Sequence, residues 1–225
     1  MSSSLEGNIN RAVLIVVMVG LLSTNYFQNT DYDLQGVSGA GKSTIGKVIA
    51  KSLSMPFIDG DDLHPKANVD KMASGQPLTD EDRSPWLETI RIKAEHMTTE
   101  QHLCPASDST TRAGVVVACS ALKKSYRDIL RGKMKSKEYV PEHLEPPNVL
   151  PTYFVFLKGE RDVLVERMKK RNGHFMKVTM LDSQLQTLES PESEGDVVVI
   201  SIEDTFEVQV KLAREGLSKL VGGAL

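Results

Sequence analysis

The residues best suited to chemistry lie in one glycine-rich stretch, GVSGAGKST at 36–44, which fits the pattern G-x-x-x-x-G-K-[ST]. Its glycines allow backbone conformations in which successive N–H groups point inward at one anion. The lysine supplies a point charge for phosphate oxygens, and the hydroxyl that follows it is a hard ligand for Mg²⁺. We therefore predict a phosphate-binding loop in which Lys42 is a catalytic cation and Ser43 a metal ligand, made of Gly36, Val37, Ser38, Gly39, Ala40, Gly41, Lys42, Ser43 and Thr44.

The residues after this loop, 44–53, have the apolar spacing of an amphipathic helix. The N-terminal N–H groups of such a helix, and the positive end of its dipole, would point at the phosphates. A glycine-rich turn that matches the pattern by chance is the alternative. The helix that follows favours the phosphate site.

Acidic side chains follow a short apolar run at 55–58, in the sequence DGDDLH. Carboxylates at the C-terminal end of a parallel strand face the ligand crevice of an open α/β sheet. We predict that Asp61 orients or deprotonates an acceptor hydroxyl, and that Asp59 lies near Mg²⁺, directly or through water. For Asp61 the alternative is a helix cap. His64 could bind a substrate hydroxyl, and an exposed histidine is its alternative.

The elements that must position these groups alternate between strand and helix along the chain, which predicts a parallel sheet with helices on both faces, the three-layer α/β fold of phosphate-loop kinases. Buried strands are predicted from short apolar runs at 12–18, 55–58, 114–119, 152–157 and 197–202, of which the first is continuous and rich in β-branched residues. Helices are predicted at 44–53, 66–72, 85–97, 120–130, 160–172, 181–188 and 205–220, with surface loops at 98–112 and 133–151.

Composition limits the classes of protein to consider. The chain has 225 residues, of which 25% are charged and 40% apolar, and this suits one globular α/β domain. We expect a disordered N-terminus at 1–10 and a single domain at 11–225. The net charge of −3 favours neither nucleic acid nor acidic membranes as partners. Cys104 and Cys119 are the only cysteines, which is typical of a reducing compartment and predicts a cytoplasmic protein.

The N-terminal apolar run, AVLIVVMVGLL at 12–22, is too short to span a bilayer, which needs roughly 20 apolar residues. A signal peptide is the alternative, but no convincing small-residue cleavage site follows. We predict a buried strand at 12–18 that should lead directly into the phosphate loop.

An unexpected segment, 19–35, separates that strand from the loop. Without it the sequence reads VLIVVMGVSGAGKST, an uninterrupted strand, loop and helix. We hypothesise that 19–35 is foreign to the fold, for example a retained intron, because Val codons begin with GT and Gln can be encoded by CAG. The alternative is that 31–34 replaces the strand locally, although two carboxylates in four residues make a poor buried strand.

Five blocks of sequence together resemble gluconokinases of the small phosphate-loop type, in that family's order: GVSGAGKS at 36–43, DGDDLHP at 59–65, KMASGQPLTDEDRSPWL at 71–87, CSALKKSYRD at 119–128 and GHFM at 173–176. Several blocks are specific to that family. The resemblance implies transfer of the ATP γ-phosphate to the terminal hydroxyl of D-gluconate, with Mg²⁺, to give 6-phosphogluconate for the pentose phosphate pathway. It also allows a homodimer.

A gluconate site should hold cations and hydrogen-bonding groups for one carboxylate and five hydroxyls. Arg83, Lys123 and Arg127 fit this need, because arginine can grip a carboxylate with two parallel bonds, although each could be a solvated basic residue. Trp86 could stack beneath the sugar chain or anchor the core.

A lid is expected around 160–180. Arg167 and Arg171 lie one helical turn apart and resemble the lid arginines of nucleoside-monophosphate-kinase-like folds, which stabilise charge during transfer. His174 at the end of the lid would help to bind substrate and exclude water. An exposed basic helix face is the alternative.

Two other functions remain open at this point. A shikimate- or nucleoside-monophosphate-type kinase shares the loop and lid, but would leave the LHP and SALKK blocks unexplained. A nucleotide-binding or inert variant, disabled by 19–35, is the second alternative.

Overall fold

The computed structural model describes residues 12–22, 41–103, 112–133, 150–169 and 187–223, with the backbone alone at 19–22, 102, 165 and 167–169. Its centre is a five-stranded sheet in which all paired strands run parallel, as predicted. The spatial order is β2-β3-β1-β4-β5, and the strands are β1 (Val13–Leu22), β2 (Phe57–Asp59), β3 (Gly114–Ala118), β4 (Thr152–Glu160) and β5 (Val197–Ser201).

Helices cover both faces of this sheet, which gives the expected three layers. They are α1 (Lys42–Ser52), α2 (Lys66–Ala73), α3 (Asp80–Leu103), α4 (Lys124–Leu130), α5 (Arg161–Lys169) and α6 (Phe206–Val221). A single 3₁₀ turn, Gly60–Leu63, joins β2 to the segment before α2. None of the helices in the described part of the chain is both long and apolar enough to cross a membrane.

The strands are buried because their side chains alternate between two hydrophobic cores. In β1, Leu14, Val16 and Met18 belong to the core formed with α3 and α4, whose largest member is Trp86. Val13, Ile15 and Val17 belong to the core formed with α1 and α6. Burial on both faces explains why this stretch reads as a continuous apolar run.

Helix α3 is longer than predicted, because the surface loop expected from residue 98 begins as six further helical residues. Burial of one side chain and one long-range contact stabilise this extension. Thr98 is buried, with only 4% of its surface exposed. The Gln101 side chain accepts a hydrogen bond from Gly114 N at 2.9 Å and donates one to Gly114 O at 3.1 Å. Tertiary contacts of this kind override a polar local sequence.

Two other boundaries also differ from the prediction. Helix α4 begins at Lys124, not at residue 120, because 120–123 form an extended turn against the core, where Ala121 and Leu122 are buried. Strand β1 continues through 19–22, since these residues pair with Leu157–Glu160 of β4. The first four residues of the proposed insert are therefore part of the sheet.

Several predictions fall on residues outside the described ranges. These are the disordered N-terminus, the rest of the insert, the interiors of both long loops and most of the helix predicted at 181–188. For the site, the useful result is that α1 begins, and β2 and β3 end, at the same edge of the sheet.

Candidate active site

The phosphate end of the site is the start of α1. Gly41 has φ 88°, a left-handed conformation that L side chains rarely adopt, so glycine is required at this position. Gly41 has no side chain with which to cap the helix, so the first N–H groups of α1 keep their capacity for an anion. Lys42, Ser43 and Thr44 form the first turn, and residues 36–40 of the predicted loop lie outside the described residues.

A pair of hard oxygen ligands connects α1 to β2. The Ser43 hydroxyl donates a hydrogen bond to Asp59 Oδ2 at 2.7 Å. Within the described ranges, no cluster of three or more His, Cys, Asp or Glu could hold a metal ion alone. Mg²⁺ in kinase sites needs no such cluster, since it keeps several waters and binds one or two protein oxygens together with substrate phosphates. The donor set present therefore fits Mg²⁺.

The backbone of the acidic segment is fixed by close packing against β3. A Cβ on Gly60 would lie 2.7 Å from the Ala118 carbonyl oxygen, so only glycine fits there. Trp86 Nε1 donates to the Gly60 carbonyl oxygen at 2.7 Å. Asp59, and not Asp61, caps the 3₁₀ turn, by accepting from Asp61 N at 3.2 Å. This leaves the Asp61 side chain exposed and available to a ligand.

His64 stacks on Trp86, with ring centroids 4.0 Å apart and an angle of 17° between the planes. Trp86 is fully buried, so of its two predicted roles the structure supports the core anchor, which also holds His64. Burial lowers the pKa of His64; the charge of Arg83 also lowers it, while Asp61 raises it. His64 is therefore neutral at pH 7 and can donate one ring hydrogen bond.

Arg83 is the most unusual group in the site. Only 6% of its surface is exposed, yet its Nε has no hydrogen-bond partner, and no carboxylate within the described ranges pairs with its guanidinium. The guanidinium carbon lies 5.9 Å from the centre of the Tyr126 ring. A buried donor without a partner is costly and calls for an explanation, such as a ligand that satisfies it.

Lys123 lies near Arg83, and both side chains contact the Tyr126 ring. Lys123 Nζ donates to both Asp80 oxygens, at 2.7 and 2.8 Å, and lies 5.6 Å from the centre of the Tyr126 ring. The Tyr126 hydroxyl also donates to Asp80. These two bonds, that from Lys123 first, lower the pKa of Asp80. Burial and the bond to Asp80 raise the pKa of Tyr126.

Four of these charged groups, Asp59, Asp61, Lys42 and Arg83, act electrostatically on one buried side chain, Cys119, directly after β3. Burial raises the pKa of the Cys119 thiol. The thiol therefore remains protonated. The phosphate-side cation, both carboxylates and the unpartnered arginine thus converge at the carboxyl edge of the sheet.

Arg127 does not join this group, and the expectation that it grips the substrate needs correction. It has no exposed surface, and its Nη1 donates to the carbonyl oxygens of Ala121 and Leu122 at 2.9 and 3.0 Å. Its Nε and Nη2 both bind Glu194, the latter at 2.6 Å. The guanidinium is used to hold the turn before α4 and has no face toward the crevice.

For the lid, the structure gives only a backbone position for Arg167, within α5. Arg171 and His174 lie outside the described residues, so their roles stay predictions. Sequence reasoning missed Asp80 and Tyr126, although both stand in the resemblance blocks, where their spacing from Arg83 and Lys123 was a usable signal. It also missed Glu194, which no local pattern marks.

Comparison with known proteins identifies the family of this chain. The shikimate kinase family model matches residues 38–194. The thermoresistant gluconokinase of Escherichia coli K12 is 40% identical over 88% of this chain and 99% of its own length. A gluconokinase of Arabidopsis thaliana is 43% identical over 72% of this chain and 78% of its own. The chain belongs to the gluconokinase family.

Structural similarity extends the gluconokinase relationship to the whole fold. The crystal structure of a gluconokinase from Sinorhizobium meliloti 1021 has a TM-score of 0.66 to this chain, at 37% identity and 95% coverage of both chains. The gluconokinase family is one of phosphate-loop kinases, and the parallel five-stranded sheet agrees with the fold that the sequence predicted.

Proposed function

We propose that this chain is an enzyme that transfers the γ-phosphate of ATP to the terminal hydroxyl of D-gluconate, giving 6-phospho-D-gluconate. The observation that carries the proposal is the buried Arg83, whose Nε has no hydrogen-bond partner among the described residues, at the same edge of the sheet as Lys42 and Asp61. That edge offers phosphate-binding groups on one side and a buried cation for a carboxylate on the other.

The phosphate side is formed by Gly36–Thr44 and the N-terminus of α1. The N–H groups of this loop and the Lys42 ammonium bind the β- and γ-phosphates of ATP and hold them in line with the acceptor. Ser43 and Asp59 would hold Mg²⁺ together with the phosphates and waters. At that position Ser43 and Asp59 would hold a cation that supplies charge neutralisation during transfer.

The acceptor side positions the hydroxyl. Asp61, exposed at the end of the 3₁₀ turn, accepts its proton or orients it. Neutral His64 donates a hydrogen bond to a substrate hydroxyl, while Arg83 and Lys123 provide the cations for the carboxylate. Because phosphoryl transfer involves little covalent chemistry by the protein, this positioning is the main contribution of the chain.

The remaining elements of the proposal rest on the family. Arg167 and Arg171 close over the phosphates, and His174 helps to exclude water. The product feeds the pentose phosphate pathway in the cytoplasm, and neither membrane nor nucleic acid takes part. A homodimer is the assembly that the resemblance allows.

Assays of ADP release with gluconate, shikimate and AMP, each with ATP and Mg²⁺, test the substrate. Of the three acceptors, we expect only gluconate to be phosphorylated. Asp61→Asn should lower kcat about 10³-fold, which is within the range for loss of a general base. The matched control is Asp62→Asn, at the neighbouring exposed carboxylate, which should retain activity. Turnover of shikimate or AMP in place of gluconate would contradict the proposal.

The second candidate is a variant impaired by 19–35. The observation in its favour is that 19–22 extend β1 past the end of β3, away from the position where the phosphate loop should leave the strand. ATP affinity and turnover should rise in a chain that lacks 19–35. Equal values for both chains would show that the segment is a tolerated insertion.

A further inference from the structure

Helix α4 begins with a residue that cannot cap it. Lys123 occupies the N-cap position with φ −94° and ψ 156°, and its side chain makes no capping hydrogen bond. N-cap positions favour Ser, Thr, Asp or Asn, because a side-chain oxygen there accepts from the first free N–H groups of the helix. The ammonium of Lys123 points instead to Asp80. Asp80 lies beside the acceptor pocket, defined as the proposed gluconate site of Asp61, His64, Arg83 and Lys123.

A carboxylate from far along the chain supplies the missing cap. Glu189 Oε2 accepts a hydrogen bond from Lys124 N at 2.6 Å. The Glu189 backbone N–H donates to the Leu122 carbonyl oxygen at 2.9 Å. Glu189 therefore binds the chain on both sides of Lys123, one residue before it and one residue after it.

The segment that carries Glu189 is itself anchored firmly. Glu194 binds the buried guanidinium of Arg127 and also that of Arg131. Asp196 binds Arg131 as well, at 2.7 Å. Arg127 in turn holds the carbonyl oxygens at the start of the Lys123 turn. The same short segment thus fixes both the turn and its cap.

We propose that Glu189 is a positioning residue of the acceptor pocket, which acts through Lys123 by capping α4 in place of the N-cap side chain. The cap leaves the Lys123 ammonium available to the pocket, where Asp80 and the Tyr126 ring set its position. This inference rests on the proposed function in one point only, that the ligand which Lys123 binds is gluconate.

The test is steady-state kinetics of Glu189→Ala with gluconate and ATP varied separately. We expect KM for gluconate to rise about 5-fold, the effect of losing a typical cap, with kcat and KM for ATP within twofold of wild type. Glu189→Gln keeps an acceptor oxygen and should restore most of the KM. An equal rise in KM for gluconate in Glu189→Ala and Glu189→Gln would overturn the proposal. A rise in KM for ATP as well as for gluconate would also overturn it.

Two controls separate positioning from a general structural role. Glu192→Ala breaks a surface pair with Lys158 (2.7 Å) in the same segment and should leave KM for gluconate unchanged. In a Lys123→Ala background, Glu189→Ala should have no further effect on this KM, because both changes act on one group. Independent, additive effects would show that Glu189 does not act through Lys123.

A spectroscopic readout makes failure of this inference distinguishable from failure of the proposed function. The NMR signal of the Lys123 ammonium, assigned by its loss in Lys123→Ala, should shift in ligand-free Glu189→Ala and stay in place in Glu192→Ala. If wild type does not phosphorylate gluconate, the proposed substrate is wrong while this shift still decides the role of Glu189. An unchanged signal overturns the inference whatever the substrate.

Discussion

Arg83 in the acceptor pocket and Arg127 in the ion-pair network around Glu194 are both buried arginines, and they differ in their hydrogen-bond partners. Arg127 is saturated: Glu194 and two carbonyl oxygens take up its Nε, Nη1 and Nη2 groups. Arg83 is almost as deeply buried, but its Nε has no partner among the described residues.

The difference teaches how to separate binding residues from structural ones. Burial of a charge is tolerated in a stable fold when the protein itself supplies the partners, as it does for Arg127. A buried charge without partners destabilises the free protein and is stabilised by an anion that binds there. Sequence had grouped both arginines as substrate ligands, and only their partners distinguish them.

The largest effect is expected when the saturated arginine is lost. Arg127→Met should lower the free energy of unfolding by roughly 3 kcal/mol, because Glu194 loses a buried partner and two carbonyl oxygens lose donors. Urea denaturation measures this loss. The control is Lys66→Ala, which breaks an exposed pair with Asp70 (2.7 Å) and should cost well under about 1 kcal/mol. Similar losses of unfolding free energy in Arg127→Met and Lys66→Ala would contradict the structural role of Arg127.

The same substitution at the unpartnered arginine should give the opposite pattern. Arg83→Met removes the cation proposed for the gluconate carboxylate, so kcat/KM for gluconate should fall about 100-fold, equivalent to roughly 2–3 kcal/mol. The free energy of unfolding should stay the same or rise, because no protein hydrogen bond to Nε is lost. Kinetics and denaturation of this one variant test both statements. A large loss of stability would show that Arg83 has a structural role, as Arg127 does.

The smallest effect concerns pH. The folded state lowers the pKa of His64 from 6.5, first through burial, so the unfolded chain binds this proton more readily than the native one. Stability should therefore fall as pH drops below 6.5 and level off below the lowered pKa of the native state. Thermal melts of wild type and His64→Gln between pH 7.5 and pH 5 check this, and the variant should lose that part of the pH dependence.

Much of the fold could be predicted, because its signals are local. Short apolar runs identified all five strands, and the alternation of elements identified the parallel sheet. Gly60 and Asp61 were placed correctly at a strand end, since the position of carboxylates after a buried run depends on the topology and not on distant contacts.

The remainder depended on contacts that a local pattern cannot show. Gln101 extends α3 because it bonds to Gly114, thirteen residues away. Arg127 is structural because it binds Glu194, sixty-seven residues away, and the local sequence around either residue does not predict this pairing. The start of α4 was predicted too early because Lys124 is capped by Glu189 from a distance.

The longer β1 has a consequence for the behaviour of the protein in concentrated solution. β3 ends at Ala118, which faces Val17, so within the described chain 19–22 pair with β4 on one side only. Their sequence, VGLL, is apolar and carries no charge. An unpaired, uncharged strand edge is a template to which a second chain can add, so we expect this overhang to favour self-association and to lower recovery after unfolding.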